Sequence, residues 1–271
     1  MRRLKILFFW IFINKNNITF SELVRFLIKP KINSIAKNYI KSISEKESDF
    51  ELKFTNTPDS LFWPKNFSLH RLDQVICETM DTNDWHFYQK QGTIIEQDEC
   101  LLDIGTAEGL FPLTVVEKCE QIYLIEPSKV FYECLNKTFK NHADKITIHN
   151  VAVGNEDGLI PFDENSLDGK VATKNQENTY KIPINKIDTL LSDKKVTYLK
   201  ADIEGFESEM LKGAEQTIKR NKPKIAITTY HTQNDPKEII EIIKGFVPEY
   251  NYYVKGIYEK TPKPVMIHFW V

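Results

Sequence analysis

The chain has 271 residues, 41% of them hydrophobic, and a formal net charge of -2. This length and apolar content suit one large globular domain with an extension. Four cysteines, Cys77, Cys100, Cys119 and Cys134, form no CxxC pair and fit no zinc-site spacing, so we interpret them as reduced packing thiols of a cytoplasmic protein. A catalytic thiol at Cys100 or Cys134 is disfavoured because no paired histidine is evident.

The charge is distributed unevenly along the chain. Residues 1–46 hold ten Lys or Arg and only two acids, Glu22 and Glu45, so this segment is net +8 and the remainder is net -10. Such segregation predicts that the basic segment meets something anionic.

The first 13 residues, MRRLKILFFWIFI, place a short apolar run after two arginines and a lysine. The run lacks the small-residue cleavage site of a signal peptide, and it is shorter than the roughly 20 residues that cross a bilayer. Two interpretations stay open. One is a helix that packs on the domain or on a second subunit of a homo-oligomer, and the other is an interfacial segment with Trp10 in lipid and Arg2 and Arg3 at the headgroups. Residues 20–43 are predicted to continue as a basic amphipathic helix interrupted by Pro30.

The segment 47–95 is predicted to form a strand and helix lid. FELKFT alternates apolar and polar residues as a strand does, TPDSLFWPKN indicates a turn or short hairpin, and residues 69–89 have helical apolar spacing. The aromatic cluster Trp85, His86, Phe87 and Tyr88 follows. This cluster is either packing or an aromatic wall of a substrate pocket.

From residue 99 onward, predicted strands and helices alternate, which indicates βαβ units and a mostly parallel sheet. The predicted strands are 100–104, 121–125, 145–149, 196–201 and 224–231, then a C-terminal hairpin. The predicted helices are 109–118, 128–140, 206–220 and 235–245, and the segment 184–191 is predicted to open a further helix near Asp188. Residues 159–185 are predicted to form a loop or short antiparallel strands. The expected fold is α/β and Rossmann-like, divided into an arm (1–46), a lid (47–95) and a ligand-binding domain (96–271).

The stretch 101–109, LLDIGTAEG, combines an apolar strand with Asp103, Gly105 and Gly109. Glu126 ends the next apolar run, where an acid can bind both hydroxyls of a ribose. A dinucleotide site would need a second glycine close to the pyrophosphate, and here Thr106, Ala107 and Glu108 follow Gly105 instead. A carboxylate there repels phosphate but suits a ligand with an amine or a sulfonium cation. S-adenosylmethionine has both groups and a ribose.

Polar residues end four of the predicted core strands: Asp103, Glu126, Asp202 and His231. Because the carboxyl ends of parallel strands share one edge of a sheet, we expect these side chains to converge on one ligand crevice.

Several segments resemble the FkbM-type methyltransferases: LLDIGTAEG, YLIEP, NVAVGNEDG, INKIDTLL and, most specifically, the block KADIEGFESEMLKGA at 200–214. The resemblance covers about residues 95–271. It implies a class I S-adenosylmethionine-dependent methyltransferase, mostly an O-methyltransferase acting on sugar or polyketide hydroxyls. It also implies that Asp103, Gly105 and Gly109 line the methionine end, that Glu126 holds the ribose, that Ala152 lies near the adenine, and that Asp202 and Glu204 stand beside the methyl group. The family often has Ala-Asn after the first glycine, where this chain has Thr106 and Ala107.

Transfer of a methyl group to a hydroxyl is an in-line displacement, and the alcohol must lose its proton. His231 is the first candidate for the base because neutral imidazole titrates near working pH. Asp202 is the second candidate, or orients His231. In a third version Asp202, Glu204 and His231 hold a divalent metal that acidifies the hydroxyl; we expect no metal.

A non-catalytic adaptor acting through the basic arm is the alternative function, although Asp103, Glu126 and Asp202 are all retained. A nicotinamide oxidoreductase is disfavoured by the missing glycine, and no nucleic-acid partner is expected because no catalytic motif for base methylation is present. The acceptor is expected to be a small molecule or a glycan in a surface-glycan pathway. It is lipid-linked if residues 1–46 dock the cytoplasmic protein on the inner membrane face.

Overall fold

The computed structural model of the protein describes residues 2–90, 92–163, 170–171, 179–231 and 235–271. The N-terminal part begins with three helices, continues with a three-stranded antiparallel sheet and ends in a fourth helix. These elements are α1 (Arg2–Phe12), α2 (Phe20–Ile28), α3 (Ile32–Ala36), β1 (Ile40–Glu45), β2 (Asp49–Phe54), β3 (Leu61–Pro64) and α4 (Leu69–Met80). None of the helices in the described ranges has the length and apolarity that a bilayer span requires.

The remaining elements alternate along the chain, as the sequence predicts. They are β4 (Glu99–Ile104), α5 (Leu110–Val115), β5 (Cys119–Ile125), α6 (Lys129–Thr138), β6 (Ile146–His149), β7 (Ala152–Val153), β8 (Gly158–Asp163), β9 (Lys170–Val171), β10 (Thr179–Asn185), α7 (Ile187–Leu190), β11 (Tyr198–Ala201), α8 (Glu207–Lys212), α9 (Glu215–Asn221), β12 (Lys224–Thr228), α10 (Pro236–Phe246), β13 (Asn251–Lys255) and β14 (Met266–Trp270). Short 3-10 turns, Val116–Lys118 and Lys140–His142, follow α5 and α6.

A seven-stranded sheet in the order β13-β14-β12-β11-β4-β5-β6 forms the centre of the molecule. The five strands from β12 to β6 are parallel, and β13 and β14 form an antiparallel hairpin at one edge. The predicted Rossmann-like α/β fold with an antiparallel C-terminal hairpin is confirmed. A smaller sheet, β7-β10-β8-β9, lies beside it.

The two faces of the central sheet are covered by different parts of the chain. Alternate residues of one strand point to opposite faces, so Leu101 joins a core with Leu72 and Ile76 of α4, whereas Leu102 joins a core with Met210 of α8 and Ile243 of α10. The N-terminal elements therefore form one layer of the domain, and the strand β1 pairs with β2 across the predicted boundary between arm and lid.

Several predicted helices differ from the observed elements. The predicted helix 20–43 is interrupted around Pro30 as expected, between α2 and α3, but it ends at Ala36. Residues 40–45 form β1 instead, because they pair with β2. The predicted helix 69–89 ends at Met80. The predicted helix 206–220 is divided into α8 and α9 at Gly213, where an added Cβ would lie 1.9 Å from the carbonyl oxygen of Gly154.

The predicted segment 159–185 contains antiparallel strands, since β8 pairs with β10. Residues 179–185 belong to β10, and the helix predicted to begin near Asp188 is observed as α7, which begins at Ile187. The parts of this segment at 164–169 and 172–178 lie outside the described residues.

The α1–α2 hairpin is anchored on the domain through a separate apolar cluster. Ile6, Leu23 and Trp85 are buried there, and Phe26 stacks on Trp85 with ring centroids 4.5 Å apart. Polar contacts join the same hairpin to the C-terminal strands, since Lys255 pairs with Glu22 at 2.7 Å.

We expect Leu23→Ala to lower the free energy of unfolding by about 2–5 kcal/mol, because it removes buried apolar contacts and leaves a cavity. Val24→Ala on the exposed side of the same helix is the matched control and should cost less than about 0.5 kcal/mol. Urea unfolding of both variants measures the difference, and equal stabilities would show that the hairpin is not part of the cooperative unit.

Candidate active site

A cavity of about 470 Å³ lies at the carboxyl ends of β4, β5 and β11. Six residues that the sequence predicts for the site line it: Gly105, Thr106, Glu126, Ala152, Asp202 and Glu204. The other three predicted site residues, Asp103, Gly109 and His231, are not among the lining residues. The volume is in the range of small-molecule pockets.

The loop after β4 forms one wall of this cavity. Gly105 has φ +68°, and a Cβ there would lie 2.0 Å from the carbonyl oxygen of Asp202, so only glycine lets the loop approach β11 this closely. The Glu126 carboxylate accepts the N–H groups of Ala107 and Ser128, each at 2.8 Å. Glu126 therefore holds the loop while it lines the cavity.

Burial makes two carboxyl groups of the cavity wall weaker acids than usual. It raises the pKa of Glu126 to about 7, against the opposing effect of the hydrogen bonds from Ser128 and Ala107. It likewise raises the pKa of Glu108 to about 7. Both groups thus gain or lose a proton near neutral pH, and a hydrogen-bond donor or a cation in the cavity would favour their ionised forms.

Asp103 lies beneath the cavity and is fully buried. Its carboxylate is 2.9 Å from the Nζ of Lys200, which also donates to the carbonyl oxygen of Gly105 at 2.8 Å. Burial raises the pKa of Asp103, and Lys200 opposes this shift. Lys200, rather than Asp103, lines the cavity. Gly109 begins α5 and packs toward Leu135 and Phe139 instead.

The Asp202 carboxylate is surrounded by donors and cations. The hydroxyls of Thr228 and Tyr88 donate to it at 2.9 and 3.2 Å, and the Nε2 atoms of His86 and His231 lie 3.4 and 3.7 Å away. Burial alone would raise the pKa of Asp202, but His86, His231 and Lys200 outweigh it and hold the pKa well below its usual range. Asp202 is therefore ionised.

His231 lies directly behind Asp202, where its side chain is 5% exposed. Its Nδ1 is 3.0 Å from Glu207 and its Nε2 is 3.4 Å from Glu204. Burial lowers the pKa of this imidazole, but the neighbouring carboxylates of Glu204, Glu207 and Asp202 raise it to about 11. The ring is thus a cation at neutral pH, which differs from the neutral form that the sequence analysis assumes for a base.

The predicted metal ligands come close together. Ligand atoms of Asp202, Glu207 and His231 lie within 4.8 Å of one another, and Glu204, which the sequence suggests in place of Glu207, approaches His231 from the same side as Asp202. The Nε2 of His231 and the Oε2 of Glu207 have no hydrogen-bond partner in the described part of the chain. The donor set fits a divalent ion only if His231 gives up its proton, so the metal version stays an alternative that we do not favour.

The sequence analysis missed Lys200 and Glu207 of this site, and it considered His86 and Tyr88 only as part of an aromatic cluster. Lys200 and Glu207 belong to the KADIEGFE block, and a lysine within an apolar strand is the signal that could have found the first. His86 and Tyr88 belong to the aromatic cluster, for which the sequence left open packing or an aromatic pocket wall. In the structure, different members of the cluster have these two roles. Tyr88 lines the cavity, whereas Trp85 packs against the N-terminal hairpin.

A second cavity, of about 790 Å³, lies between the N-terminal helices α1–α3, helix α4 and the segments 81–86 and 257–265. It shares Gln74, Glu78 and Tyr230 with the first cavity. Burial raises the pKa of Glu78, whereas the carboxylates of Glu78 and Asp202 overcome burial to raise the pKa of His86 to about 9. The two cavities therefore meet beside Asp202 and its cations.

Comparisons with known proteins agree with this fold. A family model described as the methyltransferase FkbM domain matches residues 103–254. Methyltransferase FkbM from Methylobacillus flagellatus KT is similar in structure, with TM-score 0.53 and 22% identity over 76% of this chain and 56% of its own. The chain thus spans little more than half of that relative. No protein of curated function matches the sequence.

Weaker structural likenesses extend to other methyltransferase-like proteins. Fibrillarin from Aeropyrum pernix, crystallised with S-adenosyl-L-methionine, has TM-score 0.43 and 9% identity over 85% of this chain and 98% of its own. A methyltransferase described as putative, from Streptococcus mutans and in complex with SAH, has TM-score 0.42 and 7% identity over 65% of this chain and 90% of its own.

We expect Lys200→Met to destabilise the protein by about 3–5 kcal/mol, because it leaves the buried Asp103 carboxylate without a counter-charge. The double variant Asp103→Leu with Lys200→Met removes both charges and should recover a large part of that loss. Urea unfolding of the wild type, both single variants and the double variant gives the coupling energy. Strictly additive losses would contradict the role of the ion pair.

Proposed function

The chain belongs to the FkbM methyltransferase family, which matches more than half of its length, and we propose that it transfers the methyl group of S-adenosylmethionine to a hydroxyl oxygen. The proposed acceptor is a sugar, a glycan or a related small molecule. The observation that carries the proposal is that Glu126 and Asp202 line the same cavity at the carboxyl ends of the parallel strands.

The lining residues suit the parts of S-adenosylmethionine. A carboxylate has about four lone-pair positions, so Glu126 can accept ribose hydroxyls while it keeps the backbone N–H groups of Ala107 and Ser128. Ala152 lines the cavity together with the apolar residues Val151 and Val153, which suit an adenine ring. Gly105 and Thr106 line it at the loop after β4, which suits the methionine end. When bound, the cofactor supplies an electrophilic methyl group on a sulfonium cation.

We infer that Asp202 is the group that takes the proton of the acceptor hydroxyl. The Asp202 carboxylate is ionised, and the residue lines the cavity. As a new oxygen–carbon bond forms, the hydroxyl proton becomes strongly acidic, so even a weakly basic carboxylate can accept it. This version is favoured over a His231 base because the pKa of His231 is raised to about 11.

In this version His231 is a positioning residue. Its positive charge, together with that of His86, keeps Asp202 ionised, and Glu207 orients its ring through Nδ1. The base is therefore a unit of Asp202 and His231, of which only Asp202 lines the cofactor cavity.

The second cavity gives the acceptor a route to the site. Gln74, Glu78 and Tyr230 line both this cavity and the first one. A hydroxyl that enters through the second cavity would therefore reach the first beside these residues.

Calorimetric titration of S-adenosylmethionine and S-adenosylhomocysteine into the pure protein tests the cofactor. We expect Glu126→Ala to weaken binding about tenfold or more, which corresponds to about 1.4 kcal/mol.

Binding should also be weaker at about pH 6 than at about pH 8, because the pKa of Glu126 is raised to about 7 and only the ionised carboxylate accepts both hydroxyls. Glu120→Ala on the same strand, with an exposed side chain, is the matched control. If the wild type binds neither ligand, the non-catalytic adaptor becomes the better interpretation.

The acceptor chemistry is tested with methyl-labelled S-adenosylmethionine and fractions of the source cells. Label attached to a hydroxyl as an ether resists mild alkali, whereas a methyl ester is hydrolysed. We expect alkali-stable label in a glycan or lipid fraction, and a loss of turnover of about 100-fold or more in Asp202→Asn. The surface variant Glu209→Gln should transfer as the wild type does. Alkali-labile label would contradict hydroxyl methylation.

A further inference from the structure

The outer side of the α1–α2 hairpin is an unusually apolar surface. Eight large apolar residues are exposed there: Leu4, Phe8, Ile11, Phe12, Ile13, Phe20, Val24 and Ile28. Only six others are exposed in all the rest of the described chain, and they are scattered. Leu4, Phe12, Phe20 and Ile28 are each 69% or more exposed. A contiguous apolar surface of this kind marks an interaction site. We call these eight residues the apolar face.

The hairpin holds the apolar face in a fixed orientation. Residues four apart lie on one side of a helix, so Phe8 and Phe12 of α1, and Val24 and Ile28 of α2, point away from the cluster around Trp85 that anchors the opposite sides. The connecting turn is fixed as well, since the side-chain amide of Asn16 donates to the carbonyl oxygen of Pro262 at 3.1 Å. The exposed side chains are therefore presented by a docked element.

The hairpin and the residues that follow it carry an excess of positive charge, although Arg2 is paired with Glu259 and Lys29 with Asp81 and Asp84. Residues 2–31 carry seven basic side chains, Arg2, Arg3, Lys5, Lys15, Arg25, Lys29 and Lys31, and one acid, Glu22. Glu22 is paired with Lys255 of the domain. Lys5 and Lys31 form no ion pair within the described ranges. An apolar surface on a segment with an excess of cations matches the acyl layer and the anionic headgroups of a membrane surface.

We propose that the α1–α2 hairpin docks the protein on an anionic lipid surface, with the apolar face in the headgroup–acyl boundary and the basic residues at the headgroups. A second copy of the chain is the competing occupant. It is disfavoured because a two-fold dimer through this face would bring the same excess of cations together from both copies. No membrane-spanning segment is required, since interfacial helices bind in the plane of the surface.

Docking has a consequence for the acceptor, and this consequence rests on the proposed function, whereas the docking itself does not. Residues of the same hairpin line the second cavity, and Ile28 belongs both to this lining and to the apolar face. Arg3, Arg25 and Lys31 also line it. The cavity therefore suits an acceptor with an apolar anchor in the membrane and an anionic head near the site.

Sedimentation of the full chain with lipid vesicles tests the docking. We expect binding to vesicles of phosphatidylcholine with phosphatidylglycerol, weaker binding to phosphatidylcholine alone, and loss of binding at high salt. The double variant Phe12→Glu with Ile28→Glu places two carboxylates in the apolar face and should weaken binding about tenfold or more. Ile94→Glu, which is 56% exposed in the wild type and lies outside the hairpin, is the matched control.

Two further measurements separate this proposal from the proposed function and from a dimer. The double variant should keep the thermal stability and the S-adenosylmethionine affinity of the wild type, because neither residue lines the cofactor cavity. Light scattering should show the same mass for both proteins. The proposal is overturned if the wild type does not sediment with anionic vesicles, if the double variant sediments equally well, or if the wild type is a dimer that the double variant dissociates.

Discussion

The ionised carboxylate of Asp202 connects every part of the molecule that forms the site. It ends β11, accepts hydroxyl donors from the N-terminal layer through Tyr88 and from β12 through Thr228, and faces the imidazoles of His86 and His231. Its own carbonyl oxygen limits the residue at position 105 to glycine. An ionised carboxylate that is only 19% exposed must be stabilised by hydrogen bonds and cations. The elements that supply these groups therefore cannot shift independently of Asp202. The N-terminal layer is for this reason a component of the site and not an appendage.

The charges around Asp202 are arranged in two layers. Asp103 and Lys200 neutralise each other in the interior, and His231 is matched by Glu204 and Glu207. The carboxyl groups nearest to the cavity, Glu108 and Glu126, have pKa values raised to about 7 by burial. A cationic ligand stabilises their ionised forms, so the site becomes better compensated when such a ligand binds. A phosphate-bearing ligand would have the opposite effect, which is consistent with the absence of the dinucleotide glycine pattern.

Local patterns predicted the parallel strands, the C-terminal hairpin and the presence of Glu126 and Asp202 in one cavity, because strand ends and turn glycines are encoded within short windows. Asp103 and His231, which the sequence predicts for the same crevice, are not among its lining residues. Partners that depend on distant segments could not be predicted in this way. The strand β1 has a helical spacing and becomes a strand only by pairing with β2. The break at Gly213 depends on the carbonyl of Gly154, some 60 residues away.

The protonation of His231 is the clearest example of this limit. Histidine at a strand end is a reasonable base when its neighbours are unknown, since its ordinary pKa is near 6.5. The fold surrounds it with Asp202, Glu204 and Glu207 and converts it into a stable cation. The side chain thus supplies charge rather than basicity, and a residue type alone could not distinguish these roles.

The position of the N-terminal hairpin couples its two surfaces. Its inner side packs on Trp85, whose neighbour His86 contacts Asp202, and its outer side carries the apolar face. Between them, the second cavity extends from the basic residues of the hairpin to the residues that border the cofactor cavity. A membrane that binds the outer side of the hairpin would also fix the hairpin residues that line this cavity. The same membrane would hold an acceptor that is anchored in it. The exposed apolar face beside this cavity therefore supports the proposal of a lipid-linked acceptor.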